Sequence, residues 1–136
     1  MNRPLRLGDG ESIPTHDAAQ AFAMRWAESW NRRDVEAVLA HFHDDVIFTS
    51  PTALAVVGSA SVRGKRALRD YWNTAMARIS SLHFTVERVL WDAQGGELAI
   101  IYTAAINENS RRVSENLKFD ASGLVASAEV FHGVPA

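Results

Sequence analysis

The sequence predicts an α+β domain, with three helical segments in the first half packed on a strongly curved antiparallel sheet formed by the second. Two observations carry this. Between Ala18 and Ile79 apolar residues recur at helical spacing, whereas from Leu82 onward the chain runs in stretches rich in Val, Ile, Phe and Thr. Gln94-Gly95-Gly96, Asn107–Ser110 and Ala121-Ser122-Gly123 separate those stretches at hairpin distances. Helices followed by consecutive hairpins place the helices on one face of the sheet. The sheet is long and the helices are few, so curling leaves a hollow that the helices enclose as a pocket.

A chain of 136 residues suits a single domain, and a hydrophobic fraction of 47% supplies a core and argues against disorder. The net charge of -2 offers no basic surface, so nucleic acid is not an expected partner. Cysteine is absent, which removes thiol nucleophiles, thiolate metal sites and disulfides and favours a cytoplasmic setting. No apolar run approaches the ~20 residues of a membrane span, and the first residues lack the apolar core of a secretory signal. Residues 1–14, broken by two glycines and two prolines, read as a flexible arm before a domain over 15–136.

The first helix begins near Thr15, a capping residue, with Asp17 in the positive first turn. Phe22, Trp26 and Trp30 recur every four residues among Ala18, Ala19, Ala23 and Ala27, one wide apolar stripe that faces a core. Asn31-Arg32-Arg33 breaks the period. Asp34 then caps a second helix carrying Val35, Val38, Leu39 and Phe42, with His41 and His43 at its carboxyl end. Asp44-Asp45 turn the chain into a strand over 46–50, closed by Pro51. Residues 52–63 have no period and read as an apolar loop lying over the structure, either draped on the pocket or closing it as a lid. Gly64 opens the third helix, with Ala67, Leu68, Tyr71, Trp72, Ala75 and Ile79 on one face. Strands follow over 82–91, 97–107, 111–120 and 124–132.

Three stretches together resemble a known superfamily. They are W-x-x-x-W-N-x-R-D-V-x-A-V-L-x-x-F-x-D-D-V-x-F-x-S-P, then R-G-K-x-A-L-R-x-Y-W, then E-x-L-x-F-D-x-x-G-L-V. The pattern is similar to that of the nuclear transport factor 2-like (NTF2-like) superfamily, and within it to the small bacterial SnoaL-like, polyketide-cyclase-like proteins. The resemblance covers roughly residues 16–132. It implies a cystatin-like cone with a deep pocket between helices and sheet, and a homodimer packed sheet to sheet. It leaves the chemistry open, because this fold hosts isomerases, cyclases, dehydratases, hydrolases and proteins without a known reaction.

Candidate site residues follow from the resemblance and from strand phase. Trp26 stands where ketosteroid-isomerase relatives hold a tyrosine that donates to an oxyanion. It reads either as an indole donor or as a core aromatic. Ser50 stands where those relatives carry a carboxylate base; a lone serine is no base near neutral pH, and the other reading is a loop or strand-end hydroxyl bonded to backbone. In Val113–Phe119, Val113, Glu115, Leu117 and Phe119 alternate onto one face. With that face inward, Glu115 is a carboxylate inside an aromatic pocket, poised for acid/base work by desolvation. The other reading pairs it with Arg63 or Arg25. Tyr102 is a candidate hydrogen-bond donor into the cavity or a core residue with a satisfied hydroxyl, and His132 a proton handler or a rim histidine at the end of the last strand. His83 is a second strand histidine, read as a surface residue. Trp30, Phe48, Tyr71, Trp72 and Phe84, with Trp26, are expected to form the apolar ligand-binding walls. His41-x-His43-Asp44-Asp45 is not read as a metal site, since residues two apart on a helix do not share a face. The expected activity is binding of a small hydrophobic molecule, with cofactor-independent isomerase-, cyclase- or dehydratase-type acid/base chemistry. The alternative is a non-catalytic ligand-binding or protein-interaction module.

Overall fold

The computed structural model describes residues 15–135; the arm expected over 1–14 lies outside the described residues. Helix α1 (His16–Asn31) starts where the Thr15 hydroxyl accepts a hydrogen bond from the Ala18 amide at 3.2 Å. Its stripe of Ala19, Phe22, Ala23, Trp26, Ala27 and Trp30 is buried. Asp34 caps helix α2 (Val35–Leu39) by accepting from the Ala37 amide at 3.1 Å. This helix is shorter than its apolar pattern implies. Phe42 belongs instead to strand β1 (Phe42–Thr49), and His43, Asp44 and Asp45 are strand residues rather than a turn. The cause is a pairing irregularity between Phe42 and Ile47, which lets the acidic pair sit exposed within the strand.

Residues 52–63 are not a loop. Helix α3 (Pro51–Val57) and strand β2 (Ser61–Arg63) occupy most of them. Ser50 caps α3, Pro51 fills its first turn without wasting an amide, and Gly58 ends it at φ 79. A helix of two turns is too short to display a period, which is why composition alone reads as patternless. Helix α4 (Lys65–Ala77) follows Gly64, whose φ of 88 suits glycine. Strands β3 (Leu82–Asp92), β4 (Glu97–Ile106), β5 (Asn109–Phe119) and β6 (Val125–Pro135) form the hairpins predicted, with β6 running further than expected.

The six strands lie in the order β2-β1-β6-β5-β4-β3. All pairs are antiparallel except β1 with β6, which is parallel. The hairpins march across the sheet until β6 meets β1 from the far end of the chain, so its direction is set by global topology. Pairing irregularities in β3, β5 and β6 bend the sheet around the helices. The core lies between the inward sheet face and α1 and α4, with Phe22, Trp26, Leu68, Leu98, Ile100 and Leu117 almost wholly buried. No helix among the described residues is long and apolar enough to cross a membrane.

Two side chains fasten helix ends to the sheet. Asn31 behaves as one more strand residue against β3: its Oδ1 accepts from the Phe84 amide at 2.7 Å, and its Nδ2 donates to the Phe84 carbonyl at 3.1 Å. Arg33, at φ 58, donates through Nη1 to the Ile79 carbonyl at 2.8 Å and the Met76 carbonyl at 3.5 Å, satisfying the end of α4. Each net hydrogen bond contributes about 1 kcal/mol. Replacing Asn31 by Ala is therefore expected to lower unfolding free energy by about 2 kcal/mol in urea denaturation. A loss below a few tenths would show that the Phe84 backbone does not depend on it.

Candidate functional site

Tyr102 on β4 and Glu115 on β5 project from the inward face as diagonal neighbours, since Tyr102 is paired with Val113 and Ile100 with Glu115. The Tyr102 hydroxyl donates to Glu115 Oε1 at 3.1 Å, and both residues are buried. Among the described residues the Tyr102 phenol is the hydrogen-bond partner of the carboxyl group, and its pKa shift has no contribution from Arg63 or Arg25. Burial therefore dominates and lifts the Glu115 pKa to about 7, with the Tyr102 hydrogen bond pulling the other way. Tyr102 is itself raised well above its usual range, first by burial and then by the charge of Glu115. The Tyr71 phenol is pushed up to about 12 by burial, against a lowering contribution from the neighbouring Ser50 hydroxyl. Both phenols thus keep their protons at neutral pH and remain donors.

These polar groups share a cavity of about 110 Å³, lined among others by Trp30, Phe48, Tyr71, Trp72, Phe84 and His132. The walls lock together through rings. Trp30 and Trp72 meet edge to face at 4.8 Å, Phe48 and Trp72 at 5.4 Å, and Phe84 lies 4.7 Å from Tyr102. Trp26 does not line this space. It is buried behind the wall, stacked on Phe84 at 5.7 Å and edge-on to Tyr102 at 5.0 Å, and its indole N–H has no hydrogen-bond partner among the described residues. It holds two wall residues in place rather than presenting a donor. His132 lies at the open end, two residues along β6 from Val130, the partner of Glu115. Its Nδ1 is 3.0 Å from Arg111 Nη1. A guanidinium only donates, so Nδ1 accepts and the imidazole is neutral. Burial first, and then Arg111, lowers its pKa. His83 is exposed on β3, and His43 accepts from the Asp45 amide through Nδ1 at 2.9 Å.

Sequence reasoning placed Tyr71 among apolar walls and missed its hydroxyl as a polar group of the site. The Ser50 hydroxyl bonds to backbone, as one reading of the sequence has it, and does so as a helix cap, accepting from the Thr52 amide at 3.2 Å. Ser-Pro followed by small apolar residues was the available signal for that cap.

A family model for the SnoaL-like domain matches residues 23–124. The chain belongs to the SnoaL-like domain family. Among solved structures, this SnoaL-like chain is similar to a SnoaL-like protein of unknown function from Burkholderia thailandensis, with 29% identity and a TM-score of 0.79, covering 88% of this chain and 97% of that one. It is also similar to a protein of unknown function with a cystatin-like fold from Methylobium petroleophilum, at 25% identity and TM-score 0.70, covering 88% and 78%. A steroid delta-isomerase from Pseudomonas aeruginosa shares the fold at 24% identity and TM-score 0.65, covering 90% and 84%. No curated protein matches the chain.

The raised pKa of Glu115 has a consequence for stability. Below the unfolded value of 4.5 the group is neutral in both states. As pH rises from there to about 7, the unfolded chain ionises while the folded one does not, so stability falls; above 7 the penalty is constant. Wild type is therefore expected to lose up to about 3 kcal/mol relative to Glu115→Gln between pH 4.5 and 8, read from paired urea melts. A difference that stays level with pH would contradict the assigned burial.

Proposed function

We propose that this SnoaL-like domain binds a small hydrophobic carbonyl compound and moves a proton on it without an organic cofactor. The observation that carries the reading is the Glu115 carboxyl, buried at an apolar cavity and poised near neutral pH beside a phenol that stays protonated. A carboxylate with a pKa near the working pH is both a competent base and, once protonated, a competent acid. Glu115 takes a proton from the carbon next to the carbonyl, the C–H electron pair becomes the new C=C bond, and the carbonyl oxygen gains the negative charge. The Tyr71 O–H, which spends no hydrogen bond on Glu115, is the donor suited to that oxyanion, while Tyr102 steadies the carboxyl. Return of the proton to another position gives isomerisation; attack of the same enolate on a second carbonyl gives cyclisation.

A cavity of about 110 Å³ is smaller than the roughly 150 Å³ that admits a benzene ring in an engineered core. It holds the reacting end of a ligand and little more.

The outward sheet face supports a second copy of the chain as partner. Leu90 is 57% exposed and Phe131 53%, and both lie on the face that also carries Ile101. Light scattering is expected to give twice the chain mass at micromolar concentration, and Leu90→Arg with Phe131→Arg to give the monomer. A wild-type mass of one chain would remove the dimer.

The chemistry is tested with 2-tetralone in deuterated buffer, following α-proton exchange by NMR. Wild type is expected to accelerate exchange with a rate that climbs as pH passes 7. Glu115→Gln should lose at least about a hundredfold of that acceleration and Tyr71→Phe about tenfold or more. Binding of 2-tetralone without accelerated exchange would favour the non-catalytic binding module.

A further inference from the structure

The small cavity opens into a second chamber of about 580 Å³, which it joins along Thr52, Ile79, Ala104, Val113 and His132. The outer chamber differs in charge. Arg78, just past α4, and Arg111, on β5, both line it, together with Glu108 of the β4–β5 turn. Among the described residues Arg32 pairs with Glu28, Arg69 with Glu36 and Arg112 with Glu87. Arg78 and Arg111 have no carboxylate partner among the described residues. Arg111 instead holds neutral His132. Two guanidinium groups against one carboxylate leave the mouth net positive.

We propose that this mouth binds an anionic group, so that the ligand is an amphipathic acid: an apolar ring system with a carbonyl at Glu115 and a carboxylate between Arg111 and Arg78. The carbonyl half of the statement rests on the function proposed above; the carboxylate half does not.

Three features support it. Arg111, Val113 and Glu115 share one face of β5, so the Cα atoms of Arg111 and Glu115 stand about 14 Å apart along the strand at ~3.4 Å per residue. That span fits two or three rings and exceeds what the inner cavity holds. Second, the mouth is built rather than loose. Asn107, at φ 57, accepts from the Ser80 amide and hydroxyl at 2.8 Å each and from the Ser81 amide at 3.3 Å. Those bonds tie the turn before Arg111 to the segment after Arg78, and Arg33 holds the intervening Ile79 carbonyl at 2.8 Å. Third, the charges fix one orientation. A ligand anion is repelled from the carboxyl at the closed end and attracted to the guanidinium pair, so the neutral carbonyl enters first. Guanidinium forks suit a carboxylate bidentately.

The test is calorimetric titration with biphenyl-4-carboxylate and its neutral match, biphenyl-4-carboxamide. Wild type is expected to bind the carboxylate about fivefold tighter at low salt, with the preference shrinking as salt rises. In the double variant Arg78→Ala/Arg111→Ala the two Kd values should become equal, with that of the carboxamide unchanged, which also shows that the variant is folded. Equal Kd values in wild type, binding of neither probe, or a preference surviving in the double variant would overturn the inference. The 2-tetralone exchange separates the two claims. That neutral ketone should be turned over equally by wild type and the double arginine variant. A carboxylate preference without any exchange leaves the mouth assignment standing and removes the chemistry.

Discussion

A carboxyl group buried among aromatic rings with one phenol for company is the constraint on which the rest of this structure turns. An ionised carboxylate held away from water costs several kcal/mol unless a cation or several donors meet it. Among the described residues its hydrogen-bond partner is the Tyr102 hydroxyl, at 3.1 Å. The molecule resolves the cost by keeping Glu115 protonated over much of the pH range, so that its charge appears only near pH 7. A core that merely needed filling would place Leu at this position, as it does two residues on at Leu117. The acid stands there at the expense of stability, and that expense is the ground for the proposed site.

The surrounding fold holds this group in a fixed place. Strand phase sets its direction, because β5 alternates buried Val113, Glu115, Leu117 and Phe119 with more exposed Arg112, Ser114, Asn116 and Lys118. The helices then complete the enclosure. α1 supplies Trp30 directly and Trp26 as a brace behind Phe84 and Tyr102; α4 supplies Tyr71 and Trp72. Asn31 sets the height of Phe84 by bonding its backbone on both sides. Polarity is graded along the cavity: a neutral or singly negative closed end, an aromatic middle, and a cationic mouth. The proposed ligand, with a reactive carbonyl and a distant acid, matches that gradient.

Much of this could be read from residue order. The stripe of Phe22, Trp26 and Trp30, the period change after Ile79 and the inward phase of Glu115 follow from helical and strand repeats, which are local. What escaped was either too short or too distant. α3 spans under two turns, and only the Ser50-Pro51 cap and Gly58 mark it. The parallel pairing of β1 with β6 joins segments some eighty residues apart and has no local signature. Arg78 and Arg111 have no joint signature in the sequence, because their lining one chamber depends on the turn anchored by Asn107. Trp26 shows the limit of analogy. Its place in the helix left a donor into the cavity and a core aromatic both open, and the core position is the one found: the rings of Phe84 and Tyr102 lie against it and it lines none of that space.

The central claim is that the Glu115 carboxyl titrates near neutrality inside the folded domain. Carbon-13 NMR of glutamate side-chain carboxyls, assigned by loss of one signal in Glu115→Gln, reports that event directly. The account predicts a midpoint near 7 for this one signal, well above the other glutamates. A Glu115 midpoint at or below 4.5 would place an ionised carboxylate where, among the described residues, the Tyr102 hydroxyl is its hydrogen-bond partner and no cation meets it, and would contradict both the burial and the chemistry built on it.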